Sequence, residues 1–111
     1  MTHTVCQFCN ATHAVAVPTV HLIGTSGQDL LDQFTAAVEA LRIAHRSLAE
    51  ATPNGRDYYP QGASATQLVM DQHERRCQDL HRILAELEEM RNHVEALLEF
   101  QAEQRAAREV R

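Results

Sequence analysis

Three groups of residues in this 111-residue sequence carry chemistry. The first is Cys6-x-x-Cys9, with His13 four residues on and His3 and His21 flanking it. These ligand types and spacings suit tetrahedral zinc, because a CxxC turn lets two thiolates approach one ion at ~2.3 Å. A closed structural site needs four ligands, and the third cysteine, Cys77, lies far downstream. The segment is therefore either half a zinc site, completed by histidines or by another chain, or a pair of reduced thiols. A redox role fits less well, because Cys9 is followed by Asn10-Ala11-Thr12 rather than by the helix that such a motif opens.

The second group is the stretch ATPNGRDYYPQGAS, Ala51 to Ser64. Two helices can be joined by a few polar residues. This joint instead holds Arg56, Asp57 and both tyrosines of the chain, Tyr58 and Tyr59, between Pro53-Asn54-Gly55 and Pro60-Gln61-Gly62. Arginine forks match phosphate oxygens, tyrosine rings offer flat faces to bases, and backbone N–H groups around Asn54-Gly55 could close on an anion. The plainer reading is that the two rings plug the end of a hydrophobic core, one inward and one outward.

The third group interrupts two apolar faces. Leu30, Phe34, Val38, Leu41 and Leu48 mark one face of a first helix, with a gap at His45. Leu80, Ile83, Leu87, Met90, Val94 and Leu97 alternate steps of three and four, a heptad seam. Traced upstream by the same steps, that seam meets Arg76, His73 and Val69. In an antiparallel pair closed by the loop, His45 and His73 should face each other, with Arg42, Arg46 and Arg75 nearby. They form either a structural hydrogen-bond network or a cation-lined pocket roofed by the loop.

The elements that must position these groups follow from patterning. The fold expected is mainly α: a long antiparallel helical hairpin preceded by a small N-terminal β segment, and oligomeric. Residues 1–23 read as the β segment, a hairpin around CQFCNATH with a possible zinc knuckle and a further strand over Thr19–Ile23. Residues 24–111 read as the hairpin: a helix over about 27–50, the loop over 51–63, and a long helix over about 65–108. Ser26 with Asp29, and Ser64 with Gln67, are capping-box starts. A first helix about half as long as the second leaves the distal seam uncovered, which points to a dimer or higher homo-oligomer.

Composition bounds the function. The net charge of −5 does not attract long nucleic acid, and all ten cationic side chains are arginines, each able to bind bidentately. No apolar run approaches the ~20 residues of a membrane span, so no membrane partner is expected and the expected location is the cytosol. Three cysteines, an odd number, favour a reducing compartment over a disulfide framework. No phosphate-binding glycine loop, GxSxG, HExxH or deaminase motif occurs, so no catalytic residues are assigned and no cofactor is required, zinc aside.

From Thr19 to about Leu98, the run VHLIGTSGQDLLDQF, the loop ATPNGRDYYPQG and the later ILAELEEM resemble a set of small phage-encoded helical-hairpin proteins. That set is similar to the phage anti-Thoeris and anti-CBASS sponges, which sequester cyclic nucleotide messengers of bacterial defence. The specific parts are Gly24-Thr25-Ser26 and Pro53–Gly62, and the helices match in pattern alone. The resemblance implies a non-catalytic oligomer whose pockets engulf a cyclic ADP-ribose derivative or a cyclic oligonucleotide. Joined to the residue reading, it makes Asn54, Gly55, Arg56, Tyr58, Tyr59, His73, Arg76 and His45 the candidate ligand-binding set, with Cys6, Cys9 and His13 as candidate metal ligands. CQFC lies outside the matched region. The alternative is a protein-interaction or assembly module with a zinc-bearing head and a coiled-coil helix.

Overall fold

The computed structural model describes the backbone of residues 4–5 and 12–13 and residues 15–110. Of the expected N-terminal hairpin, Thr4–Val5 and Thr12–His13 pair antiparallel with Thr4 opposite His13, while Cys6 and Cys9 lie outside the described residues. The protein is mainly helical, with two long helices, α1 (Gly27–Glu50) and α2 (Ala63–Glu109). Two short 3₁₀ turns, Gly55–Asp57 and Tyr59–Gln61, lie between them. Met1–Val38 with Ala85–Arg111 form one compact unit, and Glu39–Leu84 form a second.

Helix α1 starts where its sequence signal lies. The Ser26 hydroxyl accepts a hydrogen bond from the Asp29 backbone N–H at 3.1 Å, so one of the helix's orphan donors is satisfied. The second expected capping box is replaced by a different start. Helix α2 begins at Ala63, after Gly62 at φ 106°, and the first carbonyl bond runs from Ala65 N–H to Gly62. A glycine in that conformation turns the chain directly into the helix, so Ser64 falls inside the first turn and Gln67 bonds Asp71 instead.

Thr19–Ile23 does not form a strand. It has the β-like alternation but no partner strand among the described residues, and it closes instead in a turn, with Gly24 N–H bonded to the His21 carbonyl. Leu22 and Ile23 stand 100% and 92% exposed on that turn.

In the first unit the helices run antiparallel, with Gly27 against Leu98 and Thr35 Oγ1 accepting from Arg91 Nε at 3.0 Å. Val38 and Val94 are fully buried there. Gly27 permits the close approach: a Cβ at that position would lie 2.6 Å from Leu98 Cδ2. Arg91 occupies a seam position and remains satisfied, because its guanidinium also pairs with Glu95 at 2.8 Å.

The second unit is a helical hairpin. Its seam on α2 is His73, Cys77, Leu80 and Leu84, all buried or half-buried, while Arg76 is exposed. The upstream continuation from Leu80 thus steps back by three to Cys77 and not by four to Arg76. Sequence steps of three and four fit both choices, and packing against α1 selects the one that keeps a guanidinium in water.

Candidate functional site

The loop is built by its own backbone. The Asn54 side chain accepts from Arg56 N–H at 3.0 Å, and Asp57 N–H bonds the Asn54 carbonyl at 3.0 Å. Tyr58, Gln61 and Gly62 N–H groups bond the carbonyls of Gly55, Tyr58 and Tyr59 in turn. Two prolines and this ladder leave the segment few conformations. The donors of Arg56, Asp57, Tyr58, Gln61 and Gly62 are consumed internally; the Asn54 and Gly55 N–H groups, which the sequence reading places against an anion, are not among these donors.

What the loop displays is side chains. Tyr58 is half-buried and Tyr59 is 69% exposed, so one ring packs and the other faces water. Arg56 and Asn54 are exposed, and Gly55 is half-buried, so placed that a Cβ added to it would lie 3.5 Å from Thr66 Cγ2. That proximity sets Gly55 beside the first turn of α2.

This placement goes with the register. Thr52, just past α1, meets His73 in the third turn of α2, their Oγ1 and Nε2 atoms 3.3 Å apart. His45 therefore lies opposite a point about two turns beyond His73, and it meets His81, with ring centres 5.7 Å apart and planes inclined at 48°. The expected His45–His73 pairing is replaced by these two contacts. Counting residues outward from the middle of the loop misplaced the register, because the loop lies along α2 instead of extending the hairpin.

His73 is buried and bonded. The Thr52 hydroxyl donates its hydrogen to the Ala49 carbonyl, so it accepts from His73, which fixes the proton on Nε2. Cys77 Sγ lies 3.5 Å from the same nitrogen. His73 thus ties the end of α1 to α2. His45, Glu74, Cys77, Gln78 and His81 line an open groove of about 350 Å³ beside it. Arg75 and Arg76 are exposed.

Sequence reasoning missed Thr52, Cys77 and His81. The spacing His73-x-x-x-Cys77-x-x-x-His81, three residues one turn apart, was the available signal for the last two. Among the described residues no helix is long and apolar enough to cross a membrane. No protein-family model, curated protein or solved structure matches the chain.

Proposed function

We propose that this protein binds a cyclic nucleotide signal, a cyclic ADP-ribose derivative or a cyclic oligonucleotide, and sequesters it without cleavage, as a phage or prophage immune-evasion protein. One observation carries the reading: a loop rigidified by its own hydrogen bonds holds out an arginine fork at Arg56 and a flat ring at Tyr59. Rigid display lowers the ordering cost of binding, and these two groups grip phosphate and stack on a base. Arg76 supplies a second exposed cation on the same unit. His73, with its Nε2 proton committed to Thr52, holds the frame, and Tyr58 anchors the loop.

Sequestration calls for enclosure, and a second copy of the chain would complete it. The exposed Leu22 and Ile23, and the small number of fully buried apolar side chains among the described residues, support a homo-oligomer. The test is calorimetry of the intact protein with Arg56→Ala beside it. Loss of this contact should weaken binding by about 1.5–3 kcal/mol with the oligomer unchanged.

A second reading, a protein-interaction module, is favoured by the outward setting of Arg56, Arg75, Arg76 and Tyr59, since arginine and tyrosine also dominate protein hot spots. Under that reading the same variants leave nucleotide titrations flat.

A further inference from the structure

We infer that the far end of α2 is the contact through which a second copy of this chain docks, helix beside helix, parallel and in register at Gln104. The inference rests on the homo-oligomer reading above and names the surface where the copies meet.

Gly27, the first residue of α1, lies against Leu98. Helix α2 runs on past that point to Glu109, and every residue from Glu99 onward is exposed, Phe100 at 57%. The turn that exposes Leu22 and Ile23 stands just before the same helix start, so both features are apolar surface that nothing in one chain covers. Along this stretch Leu97, Phe100, Gln104 and Ala107 follow one another by three, four and three, the spacing of a helix-pair seam. Phe100, Glu103, Gln104 and Ala107 border a shallow hollow of about 400 Å³, with Arg108 at its rim. Those four stand at i, i+3, i+4 and i+7, the set that forms the hole for a knob from a facing helix. In a parallel pair in register, the knob that enters is Gln104 of the second copy. A single polar residue at such a position fixes register and partner number at some cost in stability.

Charge selects the direction. Glu103 and Arg108 flank the seam on opposite sides, five residues apart. In a parallel pair opposite flanks meet with that offset, so Glu103 of each copy faces Arg108 of the other, twice per dimer. An antiparallel pair sets like flanks together, acid beside acid and arginine beside arginine, and gains neither pair.

Light scattering of the intact protein at low salt, where exposed charges are least screened, tests the docking. The parent should be a dimer or a multiple of one. Glu103→Arg and Arg108→Glu should each weaken association about tenfold or more, because each sets like charges face to face twice. An equimolar mixture of the two variants, and the double variant by itself, should recover the parent mass, since opposite charges then face each other again; this recovery also shows that each variant is folded. Single variants that keep the parent mass would overturn this surface and leave the homo-oligomer reading standing. Dissociated variants whose mixture stays dissociated would overturn the parallel pairing. A monomeric parent at micromolar concentration would overturn both. Nucleotide titrations do not enter the outcome, since Arg56 and Tyr59 belong to the other unit.

Discussion

Replacing Gly62 with alanine isolates the cost of the turn that sets the loop on α2. Gly62 has φ 106° and ψ 161°, a region that only glycine occupies readily. A Cβ there meets nothing within 4 Å, so no steric clash adds to the backbone strain. That strain is about 1–3 kcal/mol, and the lower entropy of the unfolded alanine chain returns about 0.4–1 kcal/mol. The expected net loss is about 1–2 kcal/mol. With a urea dependence of about 1–3 kcal/mol per molar, the denaturation midpoint should fall by roughly 0.3–2 M. Gly55→Ala is the control in the same loop, since its Cβ would sit at an ordinary 3.5 Å from Thr66 Cγ2 and its φ is not positive. It should change the midpoint little. Equal effects of the two substitutions, or a neutral Gly62→Ala, would refute the reasoning that backbone conformation fixes the loop.

Val94 is fully buried, so Val94→Ala should cost roughly 1.5–3 kcal/mol by urea denaturation, while Ile43→Ala, at 59% exposed, should stay within about 0.5 kcal/mol. Asn54→Ala removes the acceptor for Arg56 N–H and should cost about 0.5–1.5 kcal/mol, with Asn54→Asp restoring most of it. If a second copy covers the exposed turn, light scattering of the parent protein should report a dimer or a multiple of one, and Leu22→Ser with Ile23→Ser should lower that mass without loss of helicity; a monomeric parent at micromolar concentration contradicts that assembly.

The helices were legible because long periodic patterns and a capping box are local signals. Ser26 and Asp29 marked the start of α1, and Leu30, Phe34, Val38 and Leu41 marked its inner face. On α2, Leu80, Leu87 and Val94 belong to two overlapping stripes, one continuing through Leu84 and Cys77, the other through Ile83 and Arg76. Only packing against α1 chooses between them. That ambiguity put Arg76 on the seam and hid Cys77. The loop's residues were legible as a display of arginine and tyrosine, but its path was not. Whether the twelve residues between the helices stand away or fold back depends on approaches such as that of Gly55 to Thr66, which have no periodic signature. The pairing of His45 with His81 and of His73 with Thr52 follows from that path alone.

The central claim is non-destructive capture of a cyclic nucleotide through the loop. Calorimetry against a panel of cyclic ADP-ribose isomers, cyclic dinucleotides and cyclic trinucleotides, followed by heating and chromatography of the released ligand, tests it most directly. The account predicts sub-micromolar binding of at least one member, recovery of that ligand unaltered, and weakening by about 10–150-fold in Arg56→Ala. No binding across the panel, or recovery of a cleaved product, would contradict it.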